Sequence, residues 1–208
     1  MNGDNNTLRY YDAYAKAFIE NTLHADMSES LKRFLHFVPA GGHILDLGCG
    51  SGRDSRYFLD LGYQVTASDG SEELCRQTSA YLGIPVKHML FQDLDDRDEY
   101  DGVWACASIL HLPKTELEDV VKRIGAALKD RGIFYTSFKY GEFEGMRGGR
   151  YFTDFTEDSL CAFLGRFPDF ELIECWITQD VRPGRGEESW INLLARHRDS
   201  DGQKNDAK

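Results

Sequence analysis

The chain has no apolar run near the ~20 residues needed to cross a bilayer. Its opening stretch, "MNGDNNTLRYYDAYAK", lacks both the basic start and the apolar segment of a secretion signal. A cytoplasmic location with no membrane partner is therefore expected. Cysteine is scarce: Cys49, Cys75, Cys106, Cys161 and Cys175 make five, an odd number, with no CxxC pair. That pattern suits reduced thiols better than a disulfide framework, and no dedicated zinc or other metal site is expected. Basic charge is also in deficit. Twenty-four Lys and Arg against 35 Asp and Glu leave a formal charge of −11. This opposes long-range attraction to phosphate backbones, so an extended nucleic-acid partner is disfavoured while a local basic pocket is not. Internal repeats are absent. The one low-complexity stretch is the polar end "RDSDGQKNDAK", where a disordered tail over 199–208 is expected.

What remains is globular in character. Hydrophobic residues at 41% and charged residues at 28% sit near the averages for folded domains. A chain of 208 residues is long enough for one full core, so a single domain over 1–198 is expected. Short segments rich in Val, Ile, Phe and Tyr predict strands over 43–48, 64–69, 86–91, 100–106 and 132–139. Between them, 51–61, 71–82 and 114–128 place apolar residues at three- and four-residue spacing, the period of an amphipathic helix. Strict alternation of strand and helix calls for right-handed crossovers and a parallel sheet covered on both faces. After Thr156, a helix cap, "FELIECWITQD" and "SWINLLARH" predict two strands joined through "VRPGRGEE" as an antiparallel hairpin at the sheet edge. Upstream, 8–24 and 28–38 predict helices, and residues 1–40 are expected to cover the sheet or its ligand.

In such sheets ligands sit at the carboxyl ends of the strands, and the first strand-to-helix turn is the usual contact. That turn reads "ILDLGCGSGRDS", residues 44–55. Gly48, Gly50 and Gly52 allow positive φ and are expected to let a ligand lie directly on the backbone. Their spacing excludes two familiar occupants. A dinucleotide fingerprint starting at Gly48 needs glycine at 53, which is Arg53, and a Walker loop needs glycine at 53 and lysine at 54, which is Asp54.

The remaining pattern, D-x-G-x-G-x-G, resembles the first motif of class I S-adenosylmethionine-dependent methyltransferases. Asp69 follows Asp46 by 23 residues at the end of the second predicted strand, where this family places an acidic residue to accept from both ribose hydroxyls. "FQDL" resembles the adenine-contacting segment, and "YDGVWACASILHLP" the fourth strand and its loop. The likeness spans about residues 40–140 and is closest to small-molecule members, including the tellurite-resistance type. It implies a Rossmann-like, doubly wound, seven-stranded and mostly parallel sheet ending in the antiparallel edge hairpin. It also implies S-adenosylmethionine as cofactor, with Asp46, Gly48, Cys49, Gly50, Gly52, Asp69, Gly70 and Ala107 around it. Phe91 or Leu94 would flank adenine, and Gln92 or Asp93 would take its amino group. Tyr11 and Tyr14 would cover the methyl donor.

The sulfonium methyl is already activated, so alignment of nucleophile, methyl and sulfur can supply ~7–11 kcal/mol of barrier reduction. Where the nucleophile is protonated, His111 in "SILHLP" is the candidate general base. Lys139, Arg147, Arg150, Arg182 and Arg185 fall in segments expected near the acceptor, and Arg forks suit oxyanions, so a small anionic acceptor is expected. No [DNS]-P-P-[YFW] motif follows the fourth strand, which reads "ACAS" there, so DNA amino-group methylation is not expected. An RNA or protein acceptor, a noncatalytic cofactor-binding module and, more remotely, a nicotinamide-dependent oxidoreductase stand as alternatives. Oligomeric state has no signature in the sequence.

Overall fold

The computed structural model describes residues 3–182 and 184–199. Its frame is a seven-stranded sheet in the order β3-β2-β1-β4-β5-β9-β8. Strands β1 (His43–Leu47), β2 (Gln64–Asp69), β3 (Val86–His88), β4 (Tyr100–Ala105) and β5 (Leu128–Lys139) pair in parallel. Strands β8 (Phe170–Gln179) and β9 (Ser189–His197) form the expected antiparallel hairpin, with β9 against β5 and β8 at the edge. Strand order reverses between β1 and β4, which share Ile44↔Gly102 through Asp46↔Trp104.

Period-two alternation divides the core between the faces of this sheet. Leu45, Val103, Phe134 and Leu193 join Leu117, Val120, Val121 and Ile124 of α5 (Lys114–Ala127) and Leu160 of α6 (Glu157–Leu164). Ile44, Trp104, Tyr135 and Leu194 instead meet Leu31 and Phe34 of α2 (Ser28–Leu35) and Phe58 of α3 (Arg53–Asp60). Trp104 stacks on Tyr135 with centroids 3.8 Å apart and planes at 11°. Ser71 caps α4 (Glu72–Leu82) by accepting from the Leu74 N–H at 3.2 Å, and Thr156 caps α6 in a capping box with Ser159.

Three expectations need correction. The third strand stops at His88 because Phe91–Asp93 turn into a short 3-10 helix, and β5 begins at Leu128, reaching Tyr100 across a bulge. The segment after β5, where no strand is predicted, contains β6 (Glu144–Arg147) and β7 (Arg150–Thr153), an antiparallel pair separate from the main sheet. Its turn is Gly148–Gly149, with φ of 57° and 81°, the conformation a tight two-residue hairpin demands. The expected tail lies outside the described residues from 200 onward.

Helix α1 (Gly3–Thr22), interrupted by non-helical torsions at Tyr14, crosses the carboxyl ends of the strands. It is tied there by Asp12, which accepts from the Ser71 hydroxyl at 2.6 Å, and by Thr7, whose Oγ1 accepts from the Tyr151 N–H at 3.0 Å. No helix among the described residues is long and apolar enough to cross a membrane.

Candidate functional site

A cavity of about 710 Å³ opens at the carboxyl ends of β1, β2, β4 and β5, under α1 and the β6–β7 hairpin. This lies in the size range of small-molecule sites. Its floor contains the first crossover turn, Gly48, Cys49, Gly50 and Ser51, with Asp46 on one side and Asp69 and Gly70 on the other.

The glycines have the expected torsions, and Gly48 and Gly50 lie on the cavity wall, but they also serve packing. All three have positive φ, 84°, 53° and 76° for Gly48, Gly50 and Gly52. The space a Cβ would need is taken by the chain's own side chains: Ser108 at 2.4 Å from the Gly48 position, Phe18 at 2.9 Å from Gly50 and Thr78 at 2.7 Å from Gly52. The motif thus lets α1, α4 and the loop after β4 close onto the turn, while the main chain of Gly48 to Ser51 still lines the cavity. Gly52 is not on the wall. It precedes α3 in a left-handed conformation, and its smallness serves packing against Thr78 and Leu82.

Asp69 at the tip of β2 binds main chain on both sides. One carboxylate oxygen accepts from the Gly50 N–H and the other from the Ser71 N–H, each at 2.9 Å. A carboxylate has about four lone-pair positions, so acceptor capacity remains for a ligand hydroxyl. Asp46 is 2% exposed, and its one hydrogen bond is from the Ser55 hydroxyl at 2.6 Å. Burial, aided by the neighbouring Asp54, pushes its pKa up to about 8 against the opposing effects of Ser55 and Arg53. Asp54 is held by Arg53 through two bonds of 2.6 and 2.8 Å and accepts from Trp104 Nε1 at 2.9 Å. Arg53 itself lines the cavity. Its place at the start of the helix after a glycine turn is the sequence signal that could have found it.

The residues expected at adenine separate. Phe91, Gln92, Leu90 and Ala107 line the cavity, with Gln92 donating to Glu116 at 2.9 Å. Leu94 is 0% exposed and packs in the core under α5, and Asp93 is exposed off the wall. The chain turns at 91–93, and neither Asp93 nor Leu94 is on the cavity wall, which corrects their expected contact. Tyr14 is corrected likewise: it is 57% exposed and packs on Tyr10, one helical turn back.

Tyr11 and His111, 100 residues apart in sequence, meet above the floor with the phenol oxygen 2.8 Å from Nε2. His111 Nδ1 lies 2.6 Å from the Tyr151 carbonyl oxygen. A carbonyl only accepts, so Nδ1 carries the proton. Burial lowers the imidazole pKa to about 4, helped by the Arg150 charge and opposed by the Tyr151 carbonyl. The ring is neutral, and its bare Nε2 accepts from the Tyr11 hydroxyl. Arg150 donates in turn to the Tyr11 oxygen at 3.2 Å. Burial raises the Tyr11 pKa while Arg150 works against that rise.

The expected anion-binding cations also line the cavity, but most are already engaged. Lys139 pairs with Glu188 and lies 3.5 Å from Asp180, and it sits over the Trp190 ring at 4.5 Å. Arg182 donates to Asp180 at 2.9 Å, Arg185 approaches Glu188 at 3.8 Å, and Arg147 holds Asp154 at 2.7 Å.

The donor set fits a sulfonium nucleoside. It offers a carboxylate at the tip of β2, a second buried carboxyl beside the turn, and an apolar slot from Leu8, Leu74, Leu90 and Phe91. Residues 44–132 match the family described as "Methyltransferase domain". The chain is 31% identical over 144 residues to the putative methyltransferase YqeM of Bacillus subtilis, covering 64% of this chain and 58% of that one. It is 24% identical over 127 residues to the probable S-adenosyl-L-methionine-dependent methyltransferase TehB of Haemophilus influenzae, covering 57% and 43%. It therefore spans about half the length of these curated relatives. In fold it is similar to the 1,6-didemethyltoxoflavin-N1-methyltransferase of Burkholderia thailandensis, solved with S-adenosylhomocysteine, at a TM-score of 0.74 and 23% identity over 92% of this chain and 85% of that one. Sheet order, crossover turn and relatives agree: residues 44–132 carry a methyltransferase-domain match, and the chain is similar to class I S-adenosylmethionine-dependent methyltransferases.

Proposed function

We propose that this protein transfers a methyl group from S-adenosylmethionine to a small acceptor that carries an anionic group. The observation that supports this most is the cavity at the point of strand reversal, where Asp46 and Asp69 flank a main-chain floor and Tyr11 and His111 close the roof. Asp69 would hold the ribose, Asp46 the ammonium, and Leu90, Phe91 and Gln92 the adenine. The cofactor, when bound, supplies the activated methyl.

The chain's residues orient the acceptor, exclude water and manage its proton. A proton leaving the acceptor passes to the Tyr11 oxygen as the phenol proton moves to His111 Nε2, while Nδ1 keeps its own on the Tyr151 carbonyl. Only Tyr11 stands at the end of that path, so His111 acts through it. Charging an imidazole of pKa about 4 at pH 7 costs about 4 kcal/mol at 1.36 per unit. That lies below the ~7–11 kcal/mol that orientation can supply.

Calorimetry with S-adenosylmethionine, S-adenosylhomocysteine and NAD tests the cofactor, and preferential NAD binding would overturn the reading. Transfer of labelled methyl into metabolite pools tests the reaction. Donor binding without transfer into any pool would support a binding role instead.

A further inference from the structure

We propose that Arg150 is the oxyanion receptor of this cavity, anchoring a small acceptor through a carboxylate or similar group beside Tyr11. The inference rests on the methyltransferase reading and assigns the acceptor's charge to one residue.

Among the described residues, Arg53, Lys139, Arg147, Arg182 and Arg185 each have a carboxylate partner within the cavity or at its rim. Their charges are offset before any ligand arrives. Arg150 has no acidic partner among the described residues. Its guanidinium lies over the rings of Tyr10, Tyr11 and Phe152 at 4.6, 5.7 and 5.1 Å, and one donor goes to the Tyr11 oxygen. Its Nε is buried with no hydrogen-bond partner at all. A guanidinium has five N–H donors, and a buried one left unmade costs ~1–3 kcal/mol. An incoming oxyanion would satisfy the fork and neutralise the charge in one step.

Placement adds a second argument. Arg150 starts β7, directly after the Gly148–Gly149 turn, and Tyr151 next to it fixes the His111 ring through its carbonyl. An anion on Arg150 therefore sits against the residues that would receive the acceptor's proton. It also offsets the positive charge that disfavours protonated His111.

The test uses the full chain saturated with S-adenosylhomocysteine, titrated with benzoate, p-hydroxybenzoate and inorganic phosphate. At least one of these is expected to bind in the wild type, at least tenfold more weakly in Arg150→Gln, with partial recovery in Arg150→Lys. Arg182→Gln and Arg147→Gln are expected to change that affinity less than threefold. Failure of all three anions to bind, or equal losses in all the arginine variants, would overturn the proposal. The cofactor's own carboxylate is the other source of the same chemistry. If Arg150→Gln weakens S-adenosylhomocysteine tenfold but spares 5′-methylthioadenosine, which lacks that carboxylate, the acceptor assignment fails. If the wild type binds no S-adenosylhomocysteine, the methyltransferase reading fails instead.

Discussion

Replacing Asp46 by Asn tests the electrostatics of the floor. Asp46 is buried, and that burial, with the Asp54 carboxylate beside it, pushes its pKa up to about 8, while Arg53 holds Asp54 through two bonds. A cofactor ammonium held by Asp46 needs the ionised form. Below its pKa, each unit of pH costs a factor of ten, so ionisation reduces affinity about 100-fold at pH 6 and about twofold at pH 8. Apparent affinity for S-adenosylhomocysteine is thus expected to rise about 50-fold across that interval, or roughly 2 kcal/mol. In Asp46→Asn this rise is expected to vanish, leaving only the titration of the ligand's own amino group, which both proteins share. Calorimetry on both from pH 6 to 8 gives the ratio. The free protein carries the opposite slope. Between 3.8, the ordinary carboxyl value, and about 8 the folded state binds the proton that the unfolded state has lost. Stability from this group therefore falls as pH rises through that window, and Asp46→Asn is expected to flatten the fall. Parallel pH profiles for wild type and variant would refute the assignment of the proton to Asp46.

Asp69→Ala removes a ligand acceptor and the partner of two main-chain N–H groups. Donor affinity, read by calorimetry, is expected to fall at least roughly tenfold, with ~1–3 kcal/mol lost in denaturant unfolding. Tyr11→Phe and His111→Ala are each expected to lower turnover about 100-fold or more while cofactor affinity changes less than about threefold, measured as labelled methyl transfer against calorimetry. Because the His111 pKa lies near 4, the rate–pH profile is expected to show no inflection from it near 6.5, its ordinary value. The same shift means that its contribution to stability is lost as pH falls from 6.5 toward 4, where the unfolded state binds the proton first. Leu94→Ala, a core truncation, is expected to cost ~2–5 kcal/mol in thermal or denaturant unfolding and to leave donor affinity intact.

Local sequence determined the sheet and its first turn. The apolar period and the glycine spacing are properties of neighbouring residues, and they suffice for five parallel strands, the edge hairpin and the position of Asp46 and Asp69. The β6–β7 hairpin was missed, although Gly148–Gly149 between short β-forming runs is a turn signal. Tertiary structure decided the rest, because it depends on which distant groups meet. Nothing near His111 announces Tyr11, and nothing in the sequence tells that, among the described residues, Arg53, Lys139, Arg147, Arg182 and Arg185 have acidic partners while Arg150 has none. Gly48 and Gly50 line the cavity as a main-chain floor, but it is Ser108, Phe18 and Thr78 that crowd the places where side chains on Gly48, Gly50 and Gly52 would stand. Composition names the ionisable groups, whereas burial and pairing set their charge, and these exist only once the chain has folded.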